Sequence, residues 1–316
     1  MFLRFIRTYW PVLILICIVV ILALVNTTSN TFLTGWDTLH PEFDFGLNFK
    51  RLFSGVWRGE QGFGTVAGHS HMADLPRVFL LWVFHFLLPL WSLRYMYIFL
   101  CLLLGPLGMY FFIREVFSHN THKQLIAFIT SLFYLFNLST VQQFYVPFEM
   151  FPTQYAFLPF ILLFTIRFLN HHSKKNLFFF VLFNLLATPQ AYAAHLWYPF
   201  FGTYVLFIFF YALIHRFHFL YVKLGSILIG AVLLVNAFWL LPNIYFILTT
   251  SSVPKLAKQN RLYSQEFRLR NREHGFLKDV ALVRGFYFSW EAYDFTARKN
   301  VLLMQEWRNY LNNPLV

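Results

Sequence analysis

Charge is scarce in this chain. Only 12% of its 316 residues are charged, and 13 acids stand against 25 Lys or Arg. A soluble domain carries about 25% charged residues, so a water-exposed fold over most of the length is excluded. Cysteine is nearly absent as well. Cys17 and Cys101 lie inside apolar runs, without disulfide or metal-ligand spacing, and read as packing residues. They carry no information on redox compartment. Gly59 to Gly68 is glycine-rich but lacks the P-loop lysine and its strand-helix setting, so it is not a nucleotide cradle. No nucleophile elbow is present, which removes the hydrolase signature. There is no repeat period and no inverted-repeat pattern.

What fills the sequence is apolar. Hydrophobic residues make up 58% of it, with a mean hydropathy of +0.55. They gather in long runs, so the fold class is all-α: a polytopic integral membrane helical bundle. The net charge of +12 does not indicate nucleic acid, because the basic residues sit mainly at the ends of apolar runs. There they orient helices and meet lipid headgroups, which makes membrane lipid the expected partner.

The first 25 residues place two arginines before a long apolar run without a small-residue cleavage site, and so read as a signal-anchor span. Residues 26–94 form a long outer loop. Within it Val78 to Leu90 is apolar, but at 13 residues it is too short to cross, and it reads as an interfacial helix. This choice also puts Arg4, Arg7, Arg114, Lys123, Arg167, Lys174, Lys175, Arg216 and Lys223 on the cytoplasmic side, as the positive-inside rule requires. Residues 95–248 form the bundle. Its crossings are expected at Tyr95–Ile113, Leu125–Leu138, Ala156–Leu169, Leu177–Ala187, Phe200–Ile214 and Leu224–Leu248, for about seven in all with the anchor. Prolines 147, 152, 189, 199 and 242 are expected to break helices near the outer face around a cavity. Residues 249–316 hold eleven Lys or Arg and six acids, with no membrane-length run. They read as a basic outer tail, the start of a truncated outer domain. Within it Arg268, Arg270 and Arg272 alternate as on one face of a strand.

Most of the acids that precede residue 249 lie in one place. Asp37, Glu42, Asp44, Glu60 and Asp74 all fall between residues 34 and 77, while Glu115 and Glu149 are the others. Either catalysis or an ordinary polar loop accounts for the clustering. Asp37, beside Trp36, suits a general base on a hydroxyl, or a helix N-cap followed by Pro41. Glu42 and Asp44 are secondary acidic candidates. They lie two apart and do not share a helix face. Arg77 and Arg94 flank the short helix and suit phosphate, or serve as interface anchors. His69 and His71 suit a metal only weakly without a third ligand, and the polar-loop reading is the better one. Glu149 and His195 stand near membrane depth, where ionisable groups are functional candidates. Trp36, His69, His71 and His195 are candidate ligand contacts. No cofactor is expected; a divalent metal lacks a ligand set in the sequence.

An outer loop that opens on an acid, an interfacial helix and then a bundle resemble the GT-C class of membrane glycosyltransferases. The residues in question are Gly35-Trp36-Asp37 with Pro41, then Trp57, Gly62 to Gly64 and Pro76. Ala187-Thr188-Pro189-Gln190-Ala191 and Asn236-Ala237-Phe238-Trp239-Leu240-Leu241-Pro242 follow. Within that class the chain is most similar to bacterial α-(1→3)-arabinofuranosyltransferase-like proteins. The resemblance implies a polyprenyl-phosphate sugar donor, a glycan or lipid acceptor at the outer surface, and Asp37 as base. It also implies a bacterial plasma membrane, with the amino terminus in the cytoplasm. Relatives of that kind are usually far longer and carry outer carbohydrate-binding domains. Two other functions remain open at this point. One is a transporter or lipid flippase, though the acids cluster in a loop rather than at the midplane. The other is a non-catalytic membrane partner of a full-length enzyme.

Overall fold

The computed structural model describes residues 2–34, 40–59, 64–66 and 71–256, then 258, 265, 268–269, 272, 275–285, 288, 290–311 and 313. In chain order the helices are α1 (Phe2–Asn26), α2 (Phe45–Phe53), α3 (Leu75–His85), α4 (Leu93–Val116), α5 (Lys123–Phe136), α6 (Leu138–Tyr145) and α7 (Met150–His171). There follow α8 (Lys174–Leu186), α9 (Ala194–Ile214), α10 (Phe219–Thr249), α11 (Ser252–Leu256), α12 (Leu277–Ala281) and α13 (Gln305–Leu311). Two antiparallel pairs complete the set: β1 (Trp57–Arg58) with β2 (Thr65–Val66), and β3 (Glu291–Asp294) with β4 (Lys299–Leu302). The chain forms two compact units: Met1–Leu135 with Pro147–Thr250, and Phe136–Val146 with Ser251–Val316.

The first unit is a helical membrane bundle, as the apolar runs require. Lipid offers backbone groups no partners, so only the helix closes its own hydrogen bonds. Five helices are long and apolar enough to cross, or six if α5 and α6 count as one bent span. The expectation of about seven crossings differs at Leu177–Ala187. That run lies in α8, whose 13 residues rise only about 20 Å, short of the roughly 30 Å hydrocarbon core. Exposed apolar side chains such as Leu24, Val25, Leu234 and Leu248 present the surface that lipid covers. The short apolar run falls in a helix, α3, which starts earlier than the run, at Leu75, and ends at His85.

Two of the five prolines fall at helix breaks as expected, Pro147 between α6 and α7 and Pro189 in the 3-10 turn Thr188–Tyr192 after α8, and three do not. Pro199 and Pro242 lie inside continuous α9 and α10, while Pro152 sits in the first turn of α7, where the missing N–H has no partner to lose. The argument for an outer cavity from broken helices therefore keeps two of its five positions, Pro147 and Pro189. What draws α4 and α7 together is the absence of side chains. A Cβ on Gly105 would overlap the Tyr155 ring, and one on Gly108 would meet Phe160 and Pro159. Tyr155 in turn stacks on Tyr134 of α5, ring centroids 4.5 Å apart. Leu15, Tyr110 and Ala127 bury the contact of α1, α4 and α5.

The bundle has two distinguishable ends. At one, Arg167 near the end of α7 donates to Glu115 near the end of α4 at 2.7 Å, and Tyr211 near the end of α9 donates to Asn170 at 2.9 Å. At the other lie the end of α1 and the starts of α4, α7 and α9. The short α8 reaches back to that second end through a 3-10 turn, Thr188–Tyr192. Its Thr188 hydroxyl donates to the Ala73 carbonyl at 2.9 Å.

The second unit joins the tail to the stretch at and after the end of the expected crossing Leu125–Leu138. The residues Phe136–Val146 belong with it, and α6 is capped by Asn137, which accepts from the Thr140 amide at 3.0 Å. Leu138, Phe288, Met304 and Leu311 form its core. Two of the three alternating arginines are not on a strand. Arg268 and Arg272 have helical backbone, and Arg270 lies outside the described residues. Alternation over so few residues does not distinguish the two periods.

Candidate functional site: a buried ion network at the head of the bundle

Five ionisable residues from distant parts of the sequence meet at the second end of the first unit. The 3-10 turn Pro41–Phe43 brings Glu42, and the turn His71–Asp74 brings Asp74. α3 contributes Arg77, α4 contributes Arg94, and Glu149 stands at the N-cap position of α7. All five are at least 95% buried. Apolar surroundings tolerate such groups only in pairs, and the pairing here is dense.

Arg77 grips Asp74 with both edges of its fork, Nε to Oδ1 at 2.7 Å and Nη2 to Oδ2 at 2.5 Å. The two lie three apart at the start of a helix, so their side chains share a face. Nη1 of Arg77 lies 3.2 Å from Glu149 Oε1. Arg94 Nε is 2.8 Å from the same oxygen. Its Nη2 donates to the Pro147 carbonyl at 3.1 Å and its Nη1 to the Leu33 carbonyl at 2.9 Å. Nη1 also lies 2.9 Å from His40 Nε2. A guanidinium only donates, so His40 Nε2 accepts and the ring proton sits on Nδ1. That proton is donated to Glu42 Oε1 at 2.9 Å. The other oxygen, Glu42 Oε2, is buried without a hydrogen-bond partner among the described residues.

Three carboxylates against two guanidiniums leave a formal charge of −1. Burial raises the pKa of Asp74 above the ordinary 3.8, although Arg77 opposes it. Burial likewise raises Glu149 above 4.5, against Arg77 and Arg94. Burial alone would lower the pKa of Arg77, but Asp74 and Glu149 outweigh it and hold the guanidinium charged, well above the ordinary arginine range. The network thus favours taking up a proton on a carboxylate over losing one from Arg77.

The structure brings Glu42, Arg77, Arg94 and Glu149 together, and the partner of Glu149 that the sequence hid is this pair of arginines. Neither arginine is an interface anchor, since both are buried. Nor are they open forks awaiting phosphate, because every nitrogen of both already faces a carboxylate, a carbonyl or an imidazole. Asp44 stays outside. It is exposed and caps α2, accepting from the Leu47 amide at 2.8 Å. His71 is buried and stacks on Tyr192, centroids 4.6 Å apart. His195 is exposed on the first turn of α9 and does not join the network. Trp36, Asp37 and His69 lie outside the described residues. Among the described residues, no group of three His, Cys, Asp or Glu is placed to hold a metal ion.

Sequence reasoning missed two members. Asp74 entered only in the count of loop acids, although its spacing of three from Arg77, just before a helix, was a readable signal. His40 carried no signal, because its role depends on Arg94, which is 54 residues away.

A family model described as 6-pyruvoyl-tetrahydropterin synthase related domain, membrane protein, matches residues 78–270. No curated protein and no solved structure matches the chain. The matched stretch runs over more than half of the sequence and contains Arg94, Glu149 and the helices that hold them. The chain therefore belongs to this family of membrane proteins, the 6-pyruvoyl-tetrahydropterin synthase related domain.

Proposed function

We propose that this multi-pass membrane protein is a glycosyltransferase of the GT-C kind. In this reading it moves a sugar from a polyprenyl-phosphate donor to a glycan or lipid acceptor at the outer face of a bacterial plasma membrane. One observation carries the reading most: a buried network of three acids and two arginines ties the loop after α1 to the heads of α4 and α7. Burying charge in a membrane protein costs several kcal/mol per ion before pairing, and such sites are functional by default.

Arg94 supplies the link to chemistry. It holds Leu33 and His40, the described residues on either side of the stretch that contains Asp37. In the proposed step Asp37 takes the proton of an acceptor hydroxyl. The freed oxygen attacks the anomeric carbon, and the bond from that carbon to the phosphate oxygen breaks with its electron pair going to the phosphate. Arg77 and Arg94 are positioning residues that hold the loop against the bundle. The orientation rests on charge. Arg114, Lys123, Arg167, Lys174, Lys175, Arg216 and Lys223 all lie in the end turns or connections opposite the network. By the positive-inside rule that end is cytoplasmic, the network is outside, and the amino terminus is inside.

The test is product formation by the purified protein in proteoliposomes supplied with polyprenyl-phosphate sugars and a glycan acceptor, read by mass spectrometry. A new glycosidic product with release of polyprenyl phosphate is expected. Uptake or flipping of the donor with no product would make the protein a transporter instead.

A further inference from the structure

The second unit holds a cleft of about 320 Å³ that takes no part in the ion network. α6 contributes Ser139 and Gln142 to it, and α12 with the turn that follows contributes Asp279, Val280, Val283 and Arg284. We propose that this cleft binds the carboxylate of a small organic acid, gripped by the free end of the Arg284 guanidinium.

The polar groups of the cleft divide into those already engaged and those still open. Asp279 is engaged at both oxygens. Its Oδ1 lies 3.3 Å from Arg284 Nε, and its Oδ2 accepts from the Phe276 amide at 3.3 Å. Gln142 is tied back through Nε2, which donates to the Leu138 carbonyl at 2.8 Å. Ser139 Oγ accepts from Gln143 Nε2 at 3.4 Å, and its own proton is left to donate.

Arg284 is the open group. Its guanidinium carbon lies 5.3 Å from the centre of the Phe288 ring, which is buried in the core of the unit. Among the described residues neither Nη1 nor Nη2 has a partner, which leaves four N–H donors in a rigid fork. An acid at one edge and a ring beneath hold that fork before a ligand arrives, so little freedom is lost on binding. A planar fork matches the two oxygens of a carboxylate. The backbone is bent to place it. Val283 has φ +52°, a left-handed conformation that a β-branched residue rarely adopts. The turn ends α12, with the Arg284 amide donating to the Asp279 carbonyl at 2.8 Å. Strain of this kind persists where the surroundings hold it and is common at ligand sites.

Charge narrows the ligand class. Arg284 and Asp279 cancel, so a monoanion adds one net charge to the cleft and a doubly charged phosphate adds two. A cation meets no open carboxylate oxygen. A neutral molecule forgoes the charge-assisted bonds that make such a fork strong. Val280 and Val283 offer the body of the ligand an apolar wall. At about 320 Å³ the cleft is at the lower limit for ligand sites, which run from roughly 300 to 1,000 Å³, and this suits a small acid.

This site goes beyond the transferase reading and stands or falls without it. The experiment is saturation-transfer NMR of the full chain in nanodiscs of zwitterionic lipid, with benzoate as ligand, benzamide as its neutral isostere and empty nanodiscs as the blank. Benzoate is expected to bind saturably, and benzamide at least about tenfold more weakly, the loss of charge-assisted hydrogen bonds. Arg284→Met should weaken benzoate by a similar factor. Arg284→Lys keeps a positive charge opposite Asp279, and so spares the turn, but replaces the fork with a single ammonium. Its affinity should fall between those of wild type and Arg284→Met. Dimethyl phosphate, which carries the diester of a lipid headgroup, and inorganic phosphate should each displace benzoate only at concentrations above the benzoate Kd. The proposal is overturned if benzoate does not bind above the blank, if benzamide binds equally well, if either phosphate displaces benzoate at lower concentration, or if both variants bind as wild type does.

Discussion

Arg94 of α4 and Glu149 at the head of α7 meet at 2.8 Å, both buried, and Arg77 approaches the same carboxylate oxygen at 3.2 Å. One oxygen thus joins the loop after α1 to two membrane helices. Removing one partner from a buried network leaves the others uncompensated, at a cost of about 3–5 kcal/mol. Glu149→Ala, which takes away the shared acceptor together with its volume, should therefore destabilise the protein by roughly that much. Glu115→Gln removes the partner of the half-exposed Arg167 and should cost under about 1 kcal/mol. Thermal unfolding in detergent compares the two. Equal losses would contradict the assignment of Glu149 to the network.

The acids of the network also set a pH dependence. The folded-state pKa values of Asp74 and Glu149 lie above the ordinary values, so the native state binds more protons than the unfolded one in the window between. Their contribution to stability is then present at low pH and is lost as pH rises through the folded values. Relative to the double variant Asp74→Asn, Glu149→Gln, the wild type should gain stability as pH falls from about 7 toward 4. Melting curves of both proteins across that range measure the difference, and the opposite trend would show the two acids to be stabilised as carboxylates.

Much of this arrangement was legible in the sequence. Apolar runs mark the bundle because periodic burial and length are local properties. Glu42, Arg77, Arg94 and Glu149 stood out because charge is rare here and each charge near the membrane needs a reason. Their convergence was not legible. It depends on α4 and α7 lying side by side, and no short motif encodes that. The fate of α6 was hidden for the same reason. Its residues follow directly on the apolar run of α5, and only the partners Phe288 and Met304, more than 130 residues on, place it in the second unit.

The contact of α4 with α7 should be sensitive to volume. Gly105→Leu would force the Tyr155 ring off its stack on Tyr134, and overpacking of this kind costs about 1–3 kcal/mol. Gly202→Leu, at a position with open space around it, should be tolerated. Tm values for the two variants should differ accordingly, and equal Tm values would argue against close helix contact at Gly105.

Val283 offers a prediction of the other sign. A left-handed conformation costs an L-residue roughly 1–2 kcal/mol, of which the added chain entropy of glycine takes back about 0.5–1. Val283→Gly should therefore leave the second unit unchanged or more stable by up to about 1 kcal/mol. Hydrogen exchange at the amides of α12 reads this locally, and faster exchange there would contradict the strained turn.

The most direct test of the transferase account is the rate of sugar transfer by Asp37→Asn beside the wild type, in the same proteoliposomes and at matched protein levels. The account predicts a loss of about 10²- to 10⁴-fold, the size of a missing general base, with donor binding retained. Full activity of Asp37→Asn would contradict it and would leave the loop a structural tether for the bundle.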